Sequence, residues 1–130
     1  MLAQAAAGDL RAAAAVFVLP FAELATGTAH ERSVVLLLSE LHDDVSLSFT
    51  RIMNLVGDTA VGEAAELLRS RAAAVAEPIL SERLTVANSI FLHAAATRAR
   101  GGLREHNLDD AAFRENLVDM FHGALTAPTL

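Results

Sequence analysis

The residues of this chain best equipped for chemistry are few: Ser39 with His42, the run His42-Asp43-Asp44, and the pair Asp119 and His122. Ser39 and His42 stand one helical turn apart, a spacing at which an imidazole could take a proton from a hydroxyl. Nucleophilic catalysis also needs donors for an oxyanion and a tight turn that presents the nucleophile, and no such sequence surrounds Ser39. Asp119 and His122 also share a helical face, and His42-Asp43-Asp44 offers nitrogen and oxygen ligands. Neither group matches the spacing of a closed metal site. A di-iron bundle would require Glu-x-x-His on two helices, and that pattern does not occur. No glycine-rich phosphate loop follows a strand. These residues lead us to expect no catalytic activity, no resident metal and no cofactor.

The remaining polar residues that sit on or beside apolar stretches are Arg51, Asn54, Asn88 and His93. His93 shares a helical face with Val86 and Ile90, where it could hydrogen-bond a ligand or a partner helix. Arg51 could pair with an acidic ligand or with Asp44 nearby.

Charge narrows the partners. All ten basic residues are arginine, against sixteen acidic ones, for a net charge of −6. Such a surface repels phosphate backbones, so DNA contact by this chain itself is not expected. The absence of cysteine removes disulfides and thiolate chemistry and fits a reducing cytoplasm. The longest uncharged run, Ala12 to Ala22, is shorter than the roughly 18 apolar residues of a membrane span. As a secretory leader it would be interrupted by Pro20, with Asp9 and Arg11 cancelling in the basic region and Glu23 at the cleavage position.

These residues must be positioned by helices. Apolar residues recur at three and four along the chain and period-two alternation is rare, which predicts an all-α domain of about six helices spanning residues 1–130. A first helix from Asp9 carries Leu10, Ala14, Phe17, Phe21 and Leu24 on one face. Pro20 should kink it or break it near Leu19, and Gly27 should close it in a left-handed conformation. Thr28-Ala29-His30-Glu31 fits a capping box opening a second helix, whose run Val34 to Leu38 with Leu41 is apolar on several sides. Val45, Phe49, Ile52, Met53 and Val56 form the stripe of a third, and Val61, Ala65, Leu68 and Ala72 that of a fourth after Gly57-Asp58. Pro78 precedes a long helix from Ile79 to about Arg100, ended by Gly101-Gly102. Asp109 or Asp110 caps the last helix, with Phe113, Leu117, Met120, Phe121 and Ala124 on its main face.

The hydrophobic fraction of 53% owes much to alanine, yet the Leu, Val and Phe positions suggest burial beyond one monomer's core. The last two helices carry apolar arcs wider than a single core-facing stripe. The expected arrangement is a homodimer closed by a four-helix interface built from Ile90, Ala94, Thr97, Phe113, Leu117, Met120, Phe121 and Ala124. The alternative is a compact monomer in which both helices are central.

Two segments carry a resemblance: Gly8-Asp9-Leu10-Arg11 leading to Val18-Leu19-Pro20-Phe21-Ala22, and Phe113 through Leu125 followed by Ala127-Pro128. In order and pattern the chain resembles the C-terminal, effector-binding domain of tetracycline-repressor (TetR) family transcriptional regulators. The resemblance implies a final dimerisation helix paired with the long helix before it, and a small-molecule cavity among the earlier helices. Wall candidates are Phe17, Phe21, Leu24, Leu38, Phe49, Met53 and Phe91, with His42, Asn88 and His93 as polar contacts. It also implies that DNA is bound only through an N-terminal helix-turn-helix domain, and this chain contains no such segment. A stand-alone helical dimerisation module without a ligand is the other reading of the same pattern.

Overall fold

Alanine loses no side-chain freedom on entering a helix, and this chain is built largely of alanine and leucine at helical spacing. The structure, a computed structural model that describes residues 9–43, 59–101 and 107–128, is all-helical there, with no strand among the described residues. Its helices are α1 (Asp9–Ala25), α2 (Ala29–Asp43), α3 (Thr59–Arg71), α4 (Ile79–Ala99) and α5 (Asp110–Thr126). The expected helix over Val45 to Val56, with Phe49, Arg51, Met53 and Asn54, lies outside the described residues.

The helix boundaries follow from their capping chemistry. At the start of α2 the Thr28 amide donates to Glu31 Oε1 at 3.0 Å, and the Glu31 amide donates to Thr28 Oγ1 at 3.2 Å. That reciprocal pair is the anticipated capping box. At α5 the cap is Asp109, whose Oδ1 accepts from the Ala112 amide at 2.8 Å. At the end of α4, Gly101 takes φ +112°, a conformation that only glycine adopts without strain, and its amide bonds the Arg98 carbonyl at 3.0 Å.

At Pro20 one of two expected outcomes falls away, and the expectation for Gly27 is corrected. The first helix does not break near Leu19: α1 runs unbroken through Pro20. Pro20 is exposed and Val16, whose carbonyl loses its partner, is 55% exposed, so that carbonyl faces the side where water can hydrate it. Gly27 does not adopt the left-handed conformation, since Gly101 is the one residue with positive φ among those described. The end of α1 tightens instead through i→i+3 bonds, Thr26 amide to Glu23 carbonyl at 3.3 Å and Gly27 amide to Leu24 carbonyl at 3.2 Å. The smallness of glycine serves the cap instead, because a Cβ at 27 would stand 2.6 Å from Glu31 Oε1 and displace that capping carboxylate.

Packing centres on α1, which touches α2, α3, α4 and α5. Four neighbours can approach one helix because its buried positions alternate small and large: Ala13, Ala14, Ala22 and Ala25 among Phe17, Val18 and Phe21. Its buried arc is therefore wider than the single stripe expected. The helix α4 packs further on α2 and α5. It runs antiparallel to α5: Arg83 near its start donates to the Leu125 carbonyl at 2.7 Å, and Arg98 near its end meets Asp110 at 2.8 Å.

Phe17, Phe21, Phe91 and Phe121 meet at the middle of this packing. Phe17 stacks on Phe121 at 5.5 Å between centroids, and Phe91 stands edge-on to both Phe17 at 5.6 Å and Phe121 at 5.5 Å. Such offset and edge-to-face contacts each add about 0.5–1.5 kcal/mol to the burial of the rings.

Candidate functional site

The side chains singled out from sequence separate into three places. The first is the phenylalanine cluster itself. Phe17, Phe21 and Phe91, expected to wall a cavity, pack against one another and against Phe121. Phe121 and Leu117, expected across a dimer interface, are buried in the same core of one chain. Leu38 belongs to this core, and Leu24, Ala94, Phe113 and Ala124 are partly buried against it.

The second place is the seam between α2 and α4. The last turn of α2 brings His42 to α4, where His42 Nε2 lies 3.2 Å from Ser89 Oγ. Ser89 gives its one hydroxyl proton to the Thr85 carbonyl at 3.1 Å. With its proton so placed, Ser89 Oγ is an acceptor for His42 in the tautomer that carries Nε2–H. Next along α4, Asn88 Oδ1 is buried and accepts no hydrogen bond. A buried acceptor without a donor costs about 1–3 kcal/mol, an expense tolerated where something else supplies the donor. Its neighbours one turn on, Phe91 and Leu92, are fully buried. The crossing of α2 over α4 thus brings an imidazole to a hydroxyl, with the unmet amide oxygen of Asn88 beside that serine in sequence.

Ser89 was not among the sequence-derived candidates. An isolated serine in a helix interior carries no signal of its own, and only the crossing of α2 over α4 gives it a partner. Ser39 is buried within α2, one turn before His42. Of the remaining pair, Asp119 is turned toward Arg11, at 2.7 Å. Among the described residues, no three His, Asp or Glu side chains gather where they could hold a metal ion.

The third place is the outward side of the α4–α5 pair. Val86 is 55% exposed, Met120 44% and Ile79 42%, with Ile90 and Thr97 half-buried and His93 exposed on the same side of α4. Successive turns of α5 add Asn116 and Gly123, both exposed. Because the helices are antiparallel and meet along Arg83, Ala94 and Arg98 on one and Asp110, Phe113 and Ala124 on the other, these residues flank the seam on one common side. Among them no residue from Val86 to Thr97 on α4, nor Asn116, Met120 or Gly123 on α5, carries a fixed charge.

Comparison with protein-family models, with curated proteins and with solved structures finds no match to this chain. No helix among the described residues is long and apolar enough to cross a membrane.

Proposed function

We propose that this chain is the effector-binding and dimerisation domain of a TetR-type transcriptional regulator, a homodimer whose DNA contacts belong to a helix-turn-helix domain that the chain does not include. The observation that carries this reading is the face shared by α4 and α5, where Ile79, Val86 and Met120 are exposed together beside Ile90 and Thr97. Two antiparallel helices presenting such a face meet a second copy as a four-helix bundle, and Gly123, with open space around its Cα, permits close helix approach.

The effector enters at the α2–α4 seam, where His42 and Ser89 fix a polar group and a donor on the ligand satisfies Asn88 Oδ1. A small lipophilic molecule with one or two polar atoms fits that chemistry. It controls DNA release only by favouring one arrangement of α1 and α2 relative to the α4–α5 dimer bundle, because equal affinity for both arrangements would shift nothing.

The close packing of four phenylalanines where a cavity was expected favours a second reading, a dimerisation module that binds no ligand. Sedimentation equilibrium and melting temperature separate the cases. A dimer whose melting temperature rises with a lipophilic compound, and no longer does so when Asn88 is replaced by Leu, supports the regulator domain. A dimer that answers to no member of a broad lipophilic panel leaves the module, and a monomer at every concentration removes both.

A further inference from the structure

At one end of the bundle, where α1 and α4 finish and α5 begins, lies a notch of about 460 Å³ lined by Thr26, Arg32, Arg98, Arg100, Asn107 and Asp110, among others. Three of the chain's ten arginines stand around it, and Asp110 is the one carboxylate among its lining residues. Two of the three are fixed by the protein. Arg32 Nη1 donates to the Gly27 carbonyl at 2.9 Å. Arg98 Nη2 meets Asp110 at 2.8 Å while its guanidinium lies over the Phe113 ring at 5.0 Å. The Arg100 side chain is exposed and makes no ion pair or hydrogen bond among the described residues, its amide alone bonding the Ala96 carbonyl.

A guanidinium carries five N–H donors in a rigid plane. Arg32 and Arg98 are each anchored through one nitrogen, so both are held in place while several donors stay unused. The usual reason for arginine at a helix end, satisfying the last carbonyls, accounts for one donor of Arg32 but not for the arginines at the end of α4. The Ala96 and Arg98 carbonyls are taken by the amides of Arg100 and Gly101, and the Gly101 carbonyl accepts from Asn107 Nδ2 at 3.2 Å.

Among the described lining residues, three positive side chains against one negative leave two positive charges. The C-termini of α1 and α4 each subtract roughly half a charge and the N-termini of α2 and α5 each return about half, so the lining stays positive by roughly two charges. It does so on a chain whose net charge is −6, which makes it a local attractor for an anion on a surface that otherwise repels one.

We propose that this notch binds a small, multiply charged oxyanion, the carboxylates or phosphates of a metabolite, with Arg32 and Arg98 as the pre-set forks and Arg100 closing over the bound group. This site is separate from the α2–α4 seam and stands or falls independently of the regulator reading. Titration calorimetry of the whole chain with pyrophosphate and with citrate, at low and at high salt, tests it. Expected is saturable one-site binding of at least one probe that weakens with salt. The preference between them identifies phosphate or carboxylate as the group recognised. Arg100→Gln, which removes no side-chain hydrogen bond or ion pair among the described residues, should weaken binding about tenfold or more. Arg32→Lys should also weaken it, since an ammonium keeps the charge but not the fork. Binding of neither probe at low salt overturns the proposal. So does an affinity unchanged in Arg100→Gln, or one weakened equally by Arg69→Gln, whose guanidinium pairs with Glu77 away from the notch.

Discussion

Arg11 near the start of α1 donates from both Nε and Nη2 to a single oxygen of Asp119 on α5, at 3.1 and 2.7 Å, and reaches Glu115 one turn earlier at 2.9 Å. The Asp119 hydrogen bond, followed by that from Glu115, raises the Arg11 guanidinium above its ordinary pKa. The clasp is half open to solvent, with the Arg11 side chain 39% exposed, so its worth is that of a surface pair. Replacing Arg11 by Ala should cost about 0.2–1 kcal/mol in urea unfolding, and the loss should shrink as salt is added. A double-mutant cycle with Asp119→Ala, returning less coupling at high salt, checks the assignment.

Asn88→Leu gives the sharpest contrast between folding and binding. Exchanging a buried acceptor that lacks a donor for an apolar side chain of similar shape should raise stability by roughly 1 kcal/mol. The same change should abolish the thermal shift produced by an effector at the seam. A lower melting temperature would mean that the amide is already satisfied in solution.

Met120→Arg places a charge in the middle of the α4–α5 face without touching the core. In sedimentation equilibrium the variant is expected to be monomeric while its circular dichroism stays helical. An Arg at Val86 should act alike, whereas Phe121→Ala should cost about 3–5 kcal/mol of folding stability through the core itself.

The capping box links stability to pH. The Thr28 backbone amide, then the Thr28 side chain, hold the Glu31 carboxyl below the usual carboxylate range. A carboxyl whose folded pKa is depressed contributes stability above its unfolded value, and that contribution is lost as pH falls through the folded one. Melting temperatures followed between about pH 6 and pH 2 should therefore drop less steeply in Glu31→Gln than in the parent. Thr28→Ala should cost about 1 kcal/mol at neutral pH. Gly27→Ala, by crowding the same carboxylate, should be far less harmful once Glu31 has been replaced.

The helices were legible because their signals are local: a threonine three residues before a glutamate, an aspartate before an apolar run, a glycine after one. Thr28, Asp109 and Gly101 each perform the role their position implies. Gly27 misled because two different needs, a left-handed backbone and room for a neighbour, are met by the same residue, and only the Glu31 carboxylate shows which applies. Phe121 and Leu117 lie on an apolar arc, and an arc says that a face is covered without saying by what. Whether Phe17 or a second chain covers it depends on contacts spanning most of the sequence. The seam was half visible, with His42 and Asn88 chosen for their polar character beside apolar faces, while Ser89 gained meaning only when α2 crossed α4.

The central place of α1 bears on how the chain leaves the ribosome. Of the described helices this one is made before the others, and Asp119, which Arg11 grips, is synthesised 108 residues after it. At ordinary translation speeds that interval is roughly 5–20 s, during which the apolar flanks of α1 have no final partner. Until α5 emerges, and in any truncation before it, Phe17 and Phe91 lack Phe121 to close over them.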